Sequence, residues 1–241
     1  MTRIHLPPPL AEGLELALPE PAFRHLVQVL RLRPGDGFVA FDGRGGEYPA
    51  TLVEVDRRQA TARLAAHDPV DRESPLDLRL AQCVSKGERM DYTLQKAVEL
   101  GVTRVTPLIS ERSVVRLDAE RWNRKLDHWL GVMISACEQS GRTRIPVLDP
   151  AVPLTTWLAA GLDGDGVVLD PLAASGLAGL QTPAGPLTVL AGAEGGLSER
   201  EIRAARDAGF AGLRLGPRVL RTETAAVALL AALQGHWGDW R

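Results

Sequence analysis

Two glycine-bearing segments near the end of the chain carry the residues best suited to binding a ligand and acting on it. In each segment a short apolar run ends in glycine and leads into a helix-like stretch. The first segment reads GAEGG over residues 192–196, and the second reads GPRVLRTET over residues 216–224. Glycine lets backbone N–H and C=O groups come close to a ligand. An ordinary strand–helix connection explains either segment alone, but two such segments with charged residues beside the glycines favour a binding site.

These two segments need a sheet of parallel strands to bring them together. Ser198 and Glu201 have the spacing of a capping box, which predicts a helix beginning there, and Gly209 is placed to end it. Strand-like and helix-like runs alternate from Leu76 onward, which predicts an α/β domain with a mostly parallel sheet. The predicted strands are 76–80, 102–109, 167–169, 187–191 and 213–215, and the other predicted helices are 91–100, 119–140 and 223–233. Loops after such strands share the carboxyl edge of the sheet, where α/β proteins bind ligands.

The first 72 residues have a different pattern. Short β-like runs are separated by glycine-rich and proline-containing turns, and one helix over 20–32 interrupts them. Short strands at close spacing predict a small β-barrel. A polar segment with a proline at 75 follows, which predicts a linker and two domains, 1–72 and 73–241.

Composition narrows the class of protein. The chain has 241 residues, a net charge of −2 and 45% hydrophobic residues, as expected of a globular protein with a core. No apolar run resembles a signal core or a membrane span, so we expect a cytoplasmic protein that does not enter a membrane. Cys83 and Cys137 are not spaced as metal ligands and the five histidines are scattered, so no metal is expected. The net charge does not indicate a general nucleic-acid binder, so any RNA binding has to use local patches.

Several motifs together resemble one family. GAEGGLS and LGPRVLRTETA, with KGERM, QKAVELG and ACEQSGR upstream, resemble the SPOUT class of RNA methyltransferases. The resemblance is greatest to the branch that methylates N3 of a uridine in small-subunit (16S) ribosomal RNA, and it covers nearly the whole chain. It implies a trefoil-knotted α/β domain preceded by a PUA-like β-barrel, an S-adenosylmethionine cofactor and a homodimer. One departure is Ala193, where the family usually has a proline, and alanine makes that turn less rigid.

The resemblance also implies which residues form the cofactor pocket. Their positions combine leucines that would flank an adenine, glycines whose backbone would bond it, and polar residues of the second segment. The expected cofactor-binding residues are Leu169, Leu190, Gly192, Gly195, Gly196, Leu215, Gly216, Leu220, Arg221, Thr222 and Thr224. Thr222 also stands where a helix N-cap is needed, and capping alone would explain it as well.

The chemistry of uridine suggests the catalytic residues. N3 carries a proton and is a poor nucleophile until that proton leaves, so the site needs a base or a cation that stabilises the anion. We expect Arg221 to orient or stabilise the uracil, and Glu223 or Glu138 to accept the proton or to position Arg221. Glu194 is a further candidate base, and charge at a helix N-terminus explains Glu223 equally well.

Basic residues in the resembling segments mark the expected RNA contacts. They are Arg24, Arg31, Arg33, Lys86, Arg89, Arg112, Arg142 and Arg218. For any one of the helix arginines at 24–33, a solvated helix face is the simpler explanation. Two other functions stay open from the sequence: a SPOUT methyltransferase with another RNA target, and a non-catalytic RNA-binding or ribosome-assembly factor.

Overall fold

In the computed structural model, which describes residues 1–113 and 118–240, packing contacts divide the chain into two units. The first unit contains residues 1–73 and 137–145, and the second contains the remaining described residues. The first unit holds a five-stranded sheet in the order β1-β3-β4-β5-β2. β1 pairs with β3 in parallel and the other neighbours are antiparallel. The strands are β1 (Arg3–His5), β2 (Glu15–Ala17), β3 (Gly37–Phe41), β4 (Tyr48–Val55) and β5 (Ala60–Leu64).

The predicted helix of the first unit takes two forms. It begins as the α-helix α1 (Glu20–Phe23) and continues as a π-helix over Arg24–Val29. The chain turns away after the π-helix, and the Leu32 N–H donates to the Leu26 carbonyl at 3.0 Å across this turn. Arg31 lies between them with a φ of +58°, the one described residue other than glycine in the left-handed region. That conformation costs a non-glycine residue about 1–2 kcal/mol, so Arg31 is strained.

Residues 137–145 belong to the first unit, whereas the sequence analysis placed all of 73–241 in the second domain. Local bonds explain the difference. The Glu138 carboxylate accepts the His5 backbone N–H at 3.0 Å, and the Gly45 N–H donates to the Thr143 carbonyl at 3.1 Å. The last turn of the helix α3 (Ala119–Ser140) therefore takes part in the packing of the first unit.

The second unit is built on a parallel sheet of seven strands, which confirms the predicted architecture. The strand order is β12-β10-β11-β6-β7-β8, and β9 also pairs with β7. The strands are β6 (Leu78–Cys83), β7 (Val102–Ile109), β8 (Val147–Leu148), β9 (Val152–Pro153), β10 (Asp165–Leu169), β11 (Leu187–Ala191) and β12 (Ala211–Leu213). The helices that begin in this unit are α2 (Glu88–Glu99), α3, α4 (Leu154–Ala159), α5 (Glu199–Asp207) and α6 (Thr222–Trp237), with a 3₁₀ turn over Leu177–Gly179.

The position of β11 explains where the glycine segments lie. All five residues of β11 are buried, as expected of a strand with parallel neighbours on both sides and helices over its faces. β10 and β6 flank it in register, so the loops that follow the three strands meet at the carboxyl edge of the sheet. The strand before the second segment ends at Leu213 rather than at Leu215, which frees Leu215 from the sheet. The trefoil knot stays a prediction.

No helix among the described residues is long and apolar enough to cross a membrane.

Candidate active site

A pocket of about 790 Å³ opens at the carboxyl edge of the parallel sheet. The segments that follow β10, β11 and β12 supply most of its walls. Nine of the eleven expected cofactor residues line it: Leu169, Gly192, Gly195, Gly196, Leu215, Gly216, Leu220, Arg221 and Thr222. Glu223, Arg89, Arg112 and Arg218, which were expected to act in catalysis or RNA binding, line it as well. The two glycine segments therefore form one pocket.

The first glycine segment, residues 192–197, is a tight loop that folds back on itself. A Cβ atom at Gly192 would lie 3.0 Å from the Gly196 carbonyl carbon and from the Leu197 nitrogen, so a larger residue there would push the loop backbone outward. Gly196 has a φ of +67°, in the region that favours glycine. Its N–H donates to the Ala193 carbonyl at 2.9 Å. The predicted capping box follows, with Glu201 accepting the Ser198 N–H, and it is confirmed.

A buried polar network fixes the start of this loop. The Thr222 hydroxyl donates to the Gly192 carbonyl at 2.5 Å. The Gln82 amide, at the end of β6, donates to the same carbonyl at 3.2 Å and to the Thr222 hydroxyl at 3.2 Å. Thr222 does not cap α6, since the N-cap residue is Arg221 and no side chain caps the helix. Its hydroxyl instead ties the second glycine segment to the first.

Three charged side chains brace the outer part of the first loop. The Glu194 carboxylate accepts the Lys86 N–H at 2.8 Å and a guanidinium N–H of Arg89 at 2.9 Å. The Arg112 guanidinium donates to the Gly195 carbonyl at 2.8 Å. Burial disfavours the ionised form of Glu194, but the hydrogen bonds from Lys86 and Arg89 outweigh it and lower the pKa of that carboxyl. Glu194 is therefore anionic at neutral pH.

The second glycine segment brings a carboxylate and two cations to the pocket. Glu223 is in the first turn of α6, where the helix dipole favours negative charge. Its side chain is 17% exposed, and one carboxylate oxygen, Oε2, is buried without a hydrogen-bond partner. Its other oxygen lies 4.0 Å from Nε of Arg89. Arg218 and Arg221 are exposed, and neither side chain makes a hydrogen bond or ion pair with any residue that the structure describes.

Asp170 and Arg206 line the pocket although the sequence analysis did not select them. Asp170 is buried at the end of β10, and Arg206 donates to its carboxylate at 2.7 Å. The other carboxylate oxygen accepts the Leu172 N–H at 2.9 Å. An aspartate directly after an apolar strand is the signal that would have pointed to it.

Two expected cofactor residues lie outside the lining, and so do Lys86 and Glu138. Leu190 is a residue of β11 that is fully buried in the apolar core, and it is not part of the pocket lining. Thr224 is exposed on α6 and does not contribute to the lining. Lys86 contributes only its backbone N–H, to Glu194. Glu138 lies in the first unit, where its carboxylate is bonded to His5.

The remaining residues expected at RNA are in the first unit. Arg24 is exposed and pairs with Glu20 at 2.7 Å along the helix, a contact worth a few tenths of a kcal/mol. Arg31 and Arg33 are exposed beside it. Arg142 is only 4% exposed, and its guanidinium is bonded to Glu73 at 2.9 Å. Arg142 therefore serves the interior of the unit in this structure.

Both cysteines are buried thiols. Burial raises the pKa of Cys83 and of Cys137 to about 12, so neither is a thiolate at neutral pH. Among residues 1–113 and 118–240, no three histidine, cysteine, aspartate or glutamate side chains cluster in a way that could hold a metal ion.

A parallel α/β sheet whose carboxyl-edge loops enclose a glycine-lined pocket defines a ligand-binding α/β domain. Residues 72–234 match the family model described as the RNA methyltransferase domain, and residues 18–65 match the RNA methyltransferase PUA domain. The chain therefore belongs to this family of RNA methyltransferases, and the expected PUA-type domain near its N-terminus is confirmed.

Named relatives cover most of the chain. The ribosomal RNA small subunit methyltransferase E of Buchnera aphidicola is 32% identical over 216 residues, which are 89% of this chain and 88% of the relative. The protein of the same name from Bacillus subtilis is 28% identical, over 87% of this chain and 85% of its own. The crystal structure of a ribosomal RNA small subunit methyltransferase E from Neisseria gonorrhoeae, bound to S-adenosyl methionine, is 40% identical. It superposes with a TM-score of 0.92 over 100% of both chains.

Proposed function

We propose that this protein is an S-adenosylmethionine-dependent methyltransferase that methylates N3 of a uridine in 16S ribosomal RNA of the small subunit. The observation that carries the proposal is the single pocket formed by both glycine segments, with Arg221 and Glu223 on its wall. Membership of the RNA methyltransferase family and the names of the relatives support the reaction class and the RNA.

The pocket fits the proposed cofactor in size and in chemistry. About 790 Å³ is enough for a ligand that contains a nucleoside and an amino acid. Leu169, Leu215 and Leu220 offer apolar contact for an adenine, and the backbone of the glycines that line the pocket offers N–H and C=O groups for hydrogen bonds to its edges. When bound, S-adenosylmethionine would supply an electrophilic methyl group on a sulfonium sulfur. The related Neisseria protein was crystallised bound to this compound, which supports the choice of ligand.

The chain has to hold the uracil in line with that methyl group, because displacement at carbon requires the nucleophile opposite the leaving group. Arg221 is the residue we assign to this task. Its guanidinium lines the pocket and is bonded to no other described residue, so it is free to donate to a uracil carbonyl oxygen. The same positive charge would stabilise the anion that forms when N3 loses its proton.

We assign to Glu223 the role of accepting the N3 proton of the uracil. The residue lines the pocket, and its Oε2 atom has no hydrogen-bond partner among the described residues, so the carboxylate keeps an unused acceptor for the N3 proton of a bound uracil. Of the two acids favoured from the sequence, Glu223 lines the pocket and Glu138 does not. We therefore prefer Glu223 as the proton acceptor.

The test begins with calorimetric titration of the pure protein with S-adenosylmethionine, followed by methylation of small ribosomal subunits that lack the modification. We expect Arg221→Ala and Glu223→Gln to lower kcat by about 10²–10⁴, the usual contribution of acid–base and electrostatic groups. Arg124→Ala is the matched control, since Arg124 is exposed on α3 and pairs only with Glu120. Full methylation by Arg221→Ala would refute the assigned role. Cofactor binding without methylation of any subunit would favour the non-catalytic assembly factor.

We propose that the active form is a homodimer in the cytoplasm, where ribosomal subunits are made. Large exposed apolar side chains near the pocket support a second chain there: Leu172 is 88% exposed and Val219 is 83% exposed. Such side chains gain stability when a partner covers them. Sedimentation equilibrium measures the mass directly, and a monomer at working concentration would contradict the proposal.

We propose that the first unit contacts the RNA through the exposed arginines of its helix and of the turn that follows the helix. Arg24, Arg31 and Arg33 lie within ten residues of one another and are all exposed. Neutralising phosphates with arginine releases counterions, so RNA affinity should fall steeply with salt. Replacing all three with glutamine should reduce the slope of that salt dependence, and an unchanged slope would place the RNA contacts elsewhere.

A further inference from the structure

The first glycine loop lacks the proline that would stiffen it. Residue 193 is alanine, where the resembling family usually has proline. Proline fixes φ near −65°, whereas alanine leaves the free loop more conformations to lose on binding. Ala193 is nevertheless packed at 4% exposure, and its carbonyl accepts the Gly196 N–H at 2.9 Å. Other contacts must therefore restrain it.

The restraint at the tip of the loop comes from side chains of neighbouring segments. Glu194 reaches across to the segment after β6 and accepts hydrogen bonds from the Lys86 N–H at 2.8 Å and from Arg89 at 2.9 Å. From the segment after β7, Arg112 donates to the Gly195 carbonyl at 2.8 Å. The loop is thus bonded to the segments after both β6 and β7, the two strands that follow β11 in the sheet order.

The positive charge of Arg89 already faces two carboxylates of the pocket. Its guanidinium bonds to Glu194 and lies 4.0 Å from Glu223, so two carboxylates surround it. An RNA phosphate would have to displace or overcome those carboxylates to bind Arg89. Arg218 and Arg221, which have no such partners among the described residues, are better placed for an anion.

We propose that Arg89 and Glu194 are positioning residues that clasp the first glycine loop in its cofactor-binding shape, in place of the missing proline. The inference rests on the proposed function only in taking S-adenosylmethionine as the ligand of the pocket. It changes the role expected for Arg89, from a contact with RNA to a brace for the loop.

The test uses the full-length protein and four variants. Glu194→Gln keeps the shape of the side chain and one hydrogen-bond acceptor, but it removes the negative charge that pairs with Arg89. We expect it to weaken S-adenosylmethionine binding by about fivefold, the effect of a partly exposed ion pair. Ala193→Pro in the same background should restore about two- to fivefold of the lost affinity, because proline supplies the missing restraint. Glu111→Gln is the matched control, since Glu111 pairs with Arg200 at 3.6 Å and its carboxylate makes no hydrogen bond or ion pair with the described residues of the loop.

A second measurement separates this inference from the proposed function. Amide hydrogen exchange at Gly195 and Gly196 reports the order of the loop without any ligand. Exchange should be faster in Glu194→Gln and should slow again when Ala193→Pro is added. If the unaltered protein binds no S-adenosylmethionine, the proposed function fails. The exchange rates still decide whether Arg89 and Glu194 restrain the loop.

Two results would overturn the proposal. One is an unchanged dissociation constant and unchanged exchange in Glu194→Gln. The other is an Arg89→Gln variant that binds S-adenosylmethionine normally but loses affinity for the unmodified small ribosomal subunit, which would make Arg89 an RNA contact.

Discussion

Replacing Gly196 with alanine tests the pocket through backbone strain alone. Gly196 has a φ of +67°, and no atom lies within 4 Å of the position that a Cβ would take. A steric clash with neighbours is therefore absent, and the cost is the left-handed conformation of a non-glycine residue, about 1–2 kcal/mol. This cost has to appear either in the stability of the free protein or in the affinity of the pocket.

The two outcomes are measurable side by side. If the loop keeps its course in the free protein, the free energy of unfolding falls by about 1–2 kcal/mol and the affinity is unchanged. If the loop relaxes, stability is kept and S-adenosylmethionine binds about 5- to 30-fold more weakly, because the strain is then imposed on binding. Urea denaturation and calorimetric titration together should account for the whole cost. A Gly196→Ala protein with neither loss would refute the reasoning.

A matched glycine elsewhere provides the control. Gly235 is exposed inside α6, its φ is not in the left-handed region, and a Cβ there meets no atom within 4 Å. Alanine is the better helix former by about 1 kcal/mol, so Gly235→Ala should raise stability and leave cofactor affinity unchanged.

Three further predictions concern the first unit and the buried thiols. Arg31→Gly should stabilise the protein by up to about 1 kcal/mol, since it removes the strain at φ +58°, and should weaken RNA binding; a gain in stability with normal RNA affinity would leave Arg31 without a role at RNA. Cys83 and Cys137 should resist thiol reagents at neutral pH until the chain unfolds, because burial raises their pKa values to about 12, and rapid labelling of the native protein would contradict their burial. Burial opposes ionisation of Glu47, but hydrogen bonds from Arg72 and Arg3 outweigh burial and lower the pKa of its carboxyl. The ionised carboxylate therefore stabilises the fold above about pH 4.3, the ordinary pKa of a glutamate, and this stabilisation is lost as the pH falls further. Urea denaturation should therefore show Glu47→Gln less stable at pH 7 and the difference narrowing in acid, and a constant difference would count against this account.

The strand at 187–191 could be predicted to the residue, because a parallel strand buried on both faces is a nearly continuous apolar segment. The run at 102–109 also coincides with β7. The alternating run at 76–80 and the run at 213–215 were displaced along the chain, since β6 is Leu78–Cys83 and β12 is Ala211–Leu213. The short elements β2, β8, β9 and α4 were not predicted, since two to six residues carry too little periodicity to distinguish them from loops.

The glycines predicted where the pocket lies, but the sequence did not predict which distant side chains hold its loops in place. Backbone-lined positions such as Gly192 and Leu215 follow from the motif itself. Gln82 and Asp170 lie about 110 and 20 residues before Gly192, and only the parallel register of β6, β10 and β11 brings them to the same edge. Likewise, nothing in the sequence around Glu138 indicates that it is bonded to His5, because that contact depends on how the first unit packs.

The strand order also has a consequence for how the protein is made. β6 pairs with β11 along Leu78 and Leu187, so a nascent chain exposes one edge of β6 until more than a hundred further residues have been synthesised. At typical elongation rates this interval lasts about 5–20 s. An unpaired apolar strand is prone to pair with other chains. Because Thr222 and Glu223 come later still, the ligand pocket is completed only after both of them have been synthesised, and we expect the newborn protein to need protection from aggregation until then.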